Sequence, residues 1–143
     1  MKRSTQGFTL VEILIVVIIL GILAAIVIPE FTQASEDARQ SAIVSDLQTV
    51  RSQIELYKVQ HNGLKPTADI VDQLTKATTT DGTVDDANGV FGPYLQKFPS
   101  TPCAPKDPTG VDTEGDPGTG DEGWHYNPTT GDFHANDADH KDL

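Results

Sequence analysis

A chain of 143 residues has room for one domain of ordinary size. Its formal charge of −11, from 10 Lys and Arg against 21 Asp and Glu, argues against nucleic-acid phosphates or anionic lipid headgroups as partners. Cys103 is the only cysteine, which excludes a disulfide within the chain.

The first element is the run from Phe8 to Ile28, apolar apart from Thr9 and Glu12. About 20 apolar residues at ~1.5 Å rise match the ~30 Å hydrocarbon core of a bilayer, so membrane lipid is the expected surrounding. The run exceeds the 7–15 apolar residues of a typical signal peptide, and Ile26 to Glu30 make poor cleavage flanks, with Ala24 and Ala25 the small pair nearest them. A plain signal anchor, with Lys2 and Arg3 holding the amino end in the cytoplasm, leaves Glu12 unexplained. An intramembrane carboxylate costs about 2.5–3.5 kcal/mol on insertion scales. Glu12 therefore either snorkels to the cytoplasmic interface or finds a cationic partner.

Lys2, Arg3, Gly7, Phe8, Thr9, Leu10, Val11 and Glu12 form a basic leader followed by G-FTLVE. This resembles the amino-terminal processing motif of type IV pilins and type II secretion pseudopilins. The resemblance implies that a prepilin peptidase cuts between Gly7 and Phe8, methylates the new Phe8 amine and leaves the apolar helix attached. It divides the chain into a leader, 1–7, a transmembrane and assembly helix, 8–29, and a periplasmic head, 30–143. It also implies a single pass through the inner membrane with a cytoplasmic amino terminus, and assigns Thr9 and Glu12 to assembly. Gly21 and Pro29 stand where that family usually carries helix-loosening residues. A glycine before the cut presents no side chain to the protease. The freed Phe8 amine is a cation, and an axial stagger of about 6 Å brings it level with Glu12 of a neighbouring copy. Breaking such a pair leaves an uncompensated charge, which is the costly case.

Beyond Pro29 the helical pattern continues to His61-Asn62-Gly63, where Asn or Gly can take a left-handed cap. Ile43, Leu47, Val50, Ile54 and Tyr57 recur at helical spacing, and Ala34 and Ala38 extend their face toward the membrane. Arg39, Gln40, Asp46, Arg51, Glu55 and Lys58 lie opposite, as a solvated face. The stripe is short for a coiled-coil seam and is expected to pack on the chain's own small sheet. Pro66-Thr67 is expected to open a short helix, capped by Thr67, in which Ile70, Val71 and Leu74 share a face. Residues 78–89 read as an exposed loop, and Phe91, Tyr94, Leu95 and Phe98 as an apolar patch. The GPYL of that patch, followed by a P-x-x-P stretch, is similar to the region after the helices in major pseudopilins.

Residues 107–122 (DPTGVDTEGDPGTGDE) concentrate carboxylates among Gly, Pro and Thr. Calcium takes oxygen ligands from loops of this kind, although the spacing is not that of an EF-hand. The major pseudopilins carry a calcium-binding carboxy-terminal loop, so the resemblance makes Asp112, Glu114, Asp116, Asp121 and Glu122 candidate Ca2+ ligands, against the alternative of a solvated acidic loop. Trp124-His125-Tyr126 and Phe133-His134-Ala135 alternate around Asn127 to Gly131, a hairpin signal that turns Trp124, Tyr126, Phe133 and Ala135 toward the helix and His125 and His134 outward. The fold class expected is α+β, with a long helix on a head of few short strands.

Cys103 and the four histidines follow no C-x-x-C or H-E-x-x-H spacing, and neither a phosphate-binding loop nor a nucleophile elbow occurs. The chain therefore reads as a structural subunit rather than an enzyme. The resemblance implies a type II secretion pseudopilin, polymerised with copies of itself and with minor pseudopilins on an inner-membrane assembly platform. Absence of the cysteine pair found in many type IV pilins favours that reading. The alternatives are a type IV pilin of an extracellular fibre, serving adhesion, motility or DNA uptake, and a monomeric membrane-anchored calcium or ligand-binding module.

Overall fold

A computed structural model of the chain describes residues 7–104, 106–118 and 121–143. Lys2 and Arg3 of the leader lie outside the described residues. Helix α1 runs Leu10–Gln60, through Pro29, and is followed by α2, Ile70–Thr75, and by strands β1, Asp107–Asp112, β2, Glu122–Tyr126, and β3, Phe133–Ala135. The chain divides into two compact units, Met1–Ala38 and Arg39–Leu143. This is the α+β class expected from the sequence.

In the first unit every described side chain from Phe8 to Ile28 is exposed, with Leu10 at 81% and Ile19 at 50%. This exposed helix is long and apolar enough to cross a membrane. Ala34 and Ala38 are exposed too, so the buried stripe stops short of the extension expected for it.

The second unit is built on the other end of α1. Ile43, Leu47, Val50, Ile54 and Tyr57 are all buried and form one core with Ile70, Leu74, Phe98, Trp124, Tyr126, Phe133 and Ala135. The helical stripe thus packs on the chain's own sheet. Trp124 stacks on Phe133 at 5.4 Å between ring centroids, and its indole N–H donates to Pro99 O at 2.9 Å, which gives the polar end of a buried ring its partner. α1 closes with Asn62 at φ 54° and Gly63 at φ 87°, and Gly63 N–H returns to Lys58 O at 2.7 Å, the left-handed ending expected there.

The sheet has the order β1-β2-β3. β2 and β3 are antiparallel, with Trp124 opposite Ala135 and Tyr126 opposite Phe133. Their turn is held by Asn127, whose Oδ1 accepts from Thr129 N at 2.9 Å and Thr130 N at 3.1 Å. β1 pairs parallel to β2, with a register irregularity between Asp107 and Val111. The first part of the acidic segment is therefore a strand and not a loop.

Three local expectations are corrected and one is sharpened. Arg51 is not on a solvated face: its Nε and Nη2 donate to Phe133 O at 3.0 and 2.7 Å, and Nη2 also to Leu143 O at 2.8 Å. Thr67 is not the cap of α2, which begins later with Asp69 at its N-cap; Thr67 instead donates from N and Oγ1 to Gln73 Oε1. Residues 78–89 are the loop expected, largely exposed, but anchored at two buried points: Thr78 bridges both Val84 and Phe91, and Gly82 O receives Gln73 Nε2 at 2.8 Å. His125 is buried, not outward. It faces His134 across the β2–β3 ladder, and its Nε2 meets Gly115 O at 3.1 Å.

Candidate functional site

The candidate site begins where the apolar helix begins. Thr9 stands just before Leu10, the first residue of α1, and Glu12 lies in the first turn. Thr9 N donates to Glu12 Oε2 at 2.9 Å and Thr9 Oγ1 to the same oxygen at 2.8 Å, while Glu12 N donates back to Thr9 Oγ1 at 3.3 Å. This is a reciprocal capping box, which satisfies the otherwise orphaned amide groups of a helix start. Its T-x-x-E signature stands in the sequence, and reading Glu12 only as an intramembrane charge passes over it. A carboxylate in the first turn is also favoured by the positive end of the helix dipole.

Both bonds that Glu12's carboxylate accepts among the described residues end on Oε2. Oε1 is thus available for a second partner while the cap stays intact. Gly7 precedes this cap, and a Cβ added there would meet nothing within 4 Å. Packing among the described residues therefore gives no reason for a glycine at this position.

The five calcium candidates are spread over the sheet and its connection. Asp112 ends β1, where its Oδ1 accepts from Glu114 N at 3.0 Å. Glu122 opens β2 and is paired in register with Asp107. Asp121 is held in an exposed ion pair by Lys106 Nζ, whose pKa is raised by that hydrogen bond. Among the described residues no three of these five carboxylates bring oxygens close enough together for one ion. A convergent group of another composition, Cys103 with Asp137 and His140, lies elsewhere in the head.

Comparisons with known proteins bear on both ends of the chain. Residues 2–28 match the family model described as the prokaryotic N-terminal methylation motif. The type II secretion system core protein G of Vibrio cholerae is 35% identical over 121 residues, covering 82% of this chain and 77% of that protein. Those of Pseudomonas aeruginosa and Dickeya chrysanthemi are each 33% identical; the matches cover 71% of this chain in both cases, and 70% and 65% of the two relatives. No solved structure matches the chain significantly. A processing motif leading into a bare apolar helix, and relatedness that runs on into the head, together show that this chain belongs to the type II secretion system core protein G family, the major pseudopilins.

Proposed function

We propose that the chain is cut between Gly7 and Phe8, that the Phe8 amine is methylated, and that mature subunits stack through residues 8–29 into a pseudopilus that supports protein secretion. Membership of the pseudopilin family makes it a membrane-anchored pseudopilus subunit rather than a monomeric binding module, and favours this reading over a surface pilin. The finer steps rest on the site itself. The observation that carries them is an uncovered apolar helix whose one carboxylate is half engaged by its own cap.

In the proposed assembly, Glu12 Oε1 receives the Phe8 amine of a neighbouring copy while Oε2 keeps the Thr9 cap. Neighbouring helices and lipid cover the apolar surface, minor pseudopilins join the filament, and an inner-membrane platform drives its growth. The head lies on the periplasmic side, and the role is mechanical rather than catalytic. Gly7 serves the prepilin peptidase, since no packing among the described residues requires it.

Glu12→Gln separates the two duties of that residue, because Gln at this position still completes a capping box but carries no charge. Leader removal and membrane insertion should persist while filaments disappear from sheared-cell preparations. Normal filaments in E12Q would refute the charge pairing. Gly7→Leu should act earlier and accumulate uncut precursor on immunoblots.

Calcium at the acidic connection is the remaining part of the proposal. As arranged, the candidates do not form a cage, so an ion binding Asp112, Glu114, Asp116, Asp121 and Glu122 has to draw them together and displace Lys106 from Asp121. A rise in melting temperature with millimolar Ca2+ supports it, and an unchanged melting curve removes it.

A further inference from the structure

Away from the helix and the acidic connection, the turn after Phe98 and the segment following β3 bring three side chains together. A ligand atom from each of Cys103, Asp137 and His140 lies within 4.8 Å of the other two. Cys103 is half-buried and packs against the core, and His140 is buried, with 8% of its surface exposed. Asp137 Oδ1 is fully used: it accepts from Asp139 N at 3.2 Å, from His140 N at 3.1 Å, and it faces His140 Nδ1 at 2.6 Å. Its other oxygen, Oδ2, is buried and has no hydrogen-bond partner among the described residues. A buried carboxylate oxygen left without a partner costs free energy that a bound cation would return.

The frame around these groups is well tied. Asn136 N–H donates to Gly123 O at 3.1 Å, Lys141 N–H to Asp137 O at 3.1 Å, and Asn136 Oδ1 accepts from Gly118 N at 2.8 Å. Arg51 holds Leu143 O just beyond.

We infer that Cys103, Asp137 and His140 form a binding site for a zinc-like divalent cation. The donor set decides the class of metal. Sulfur, imidazole nitrogen and one carboxylate suit zinc or cobalt, whereas calcium and magnesium take oxygen almost exclusively. Three protein ligands leave a fourth tetrahedral position for water. With metal–nitrogen and metal–sulfur bonds of ~2.0 and ~2.3 Å, closing on the ion draws the side chains together by about 1 Å. The Cys103 thiol binds as thiolate and releases its proton to solvent. The metal then clamps the turn at 103 to the carboxy-terminal segment, a cross-link that a chain with one cysteine has no disulfide to supply.

Cobalt titration of the full-length chain, purified metal-free in detergent, tests this directly. One equivalent of Co2+ should give a thiolate-to-cobalt charge-transfer band with intense tetrahedral d–d bands, bleached by Zn2+ and unaffected by excess Ca2+. Since any cobalt–thiolate complex of this chain depends on Cys103, the deciding variants are His140→Ala and Asp137→Asn. The second keeps an oxygen acceptor for the amides of residues 139 and 140. Each should weaken Co2+ binding at least about tenfold, with circular dichroism unchanged for D137N. No charge-transfer band in the parent protein, or affinity retained in D137N and H140A, would overturn the assignment.

Discussion

The two stretches of α1 share one helix and differ in how they distribute their apolar side chains. Between Leu10 and Ile28 the helix shows apolar side chains on all sides and every one is exposed, whereas from Ile43 to Tyr57 it keeps apolar residues to one stripe and that stripe is buried. A stripe can be covered by one small sheet; a helix apolar all round cannot, and needs lipid or other helices. The second stretch therefore folds with its own sheet, and the first leaves its apolar surface exposed. The head-side stretch of α1 is a core element, and the apolar stretch is the surface that the proposed assembly would use.

Paired substitutions of one residue type probe that contrast most strongly. Ile54 is 2% exposed and Ile19 is 50% exposed. Ile54→Ala should destabilise the head by about 2–5 kcal/mol, followed by fluorescence of the single, buried Trp124. Ile19→Ala should leave that transition unmoved and act on filament yield instead. A head melting temperature equally sensitive to both would erase the distinction between the stretches. A smaller effect is expected at Arg51, the cation that ties α1 to the start of β3 and to Leu143. Arg51→Met keeps much of the apolar stem but strips hydrogen bonds from two carbonyl groups, at a cost of about 1–3 kcal/mol. Denaturant unfolding of the detergent-solubilised chain measures it, and an unchanged midpoint would show that water replaces the guanidinium freely.

What was legible in the sequence followed from periodicity and from short-range turn chemistry. The five-residue stripe of α1, the left-handed ending at Asn62 and Gly63 and the Asn127 hairpin all depend on neighbours within a few positions, and the structure has them as read. What was missed depends on contacts far along the chain. Arg51 sits on a polar helix face by pattern, yet its partners lie 82 and 92 residues away. Strand β1 looks like a loop because Pro108 and Gly110 interrupt it, and a parallel partner leaves no local signal. The grouping of Cys103 with Asp137 and His140 has no motif spacing, since one ligand comes from a turn and the other two from the segment after the last strand. The capping role of Thr9 and Glu12 is local and carries the T-x-x-E spacing of a capping box, a signal that the charge of Glu12 in an apolar run overshadows.

The smallest expected effect lies at Asp46, on the buried stretch but beside the stripe rather than in it. Burial raises its pKa above the usual 3.8, so the folded head penalises the charged form. That penalty is absent below pH 3.8, where the group is protonated folded or unfolded, and is complete once the pH exceeds the raised value. Asp46→Asn should accordingly raise the melting temperature by about 1–3 °C at pH 7, with the gain fading as the pH falls toward 3.8. Asp81, Asp85 and Asp107 run the other way: hydrogen bonds from Thr79, Asn88 and Thr109 lower their pKa values, so their stabilisation is present above 3.8 and is lost as the pH drops through the lowered values. Both proteins should therefore lose stability in acid, and only their difference isolates residue 46. A variant less stable than the parent at pH 7 would mean that the Asp46 carboxylate is held by a favourable contact that outweighs its desolvation.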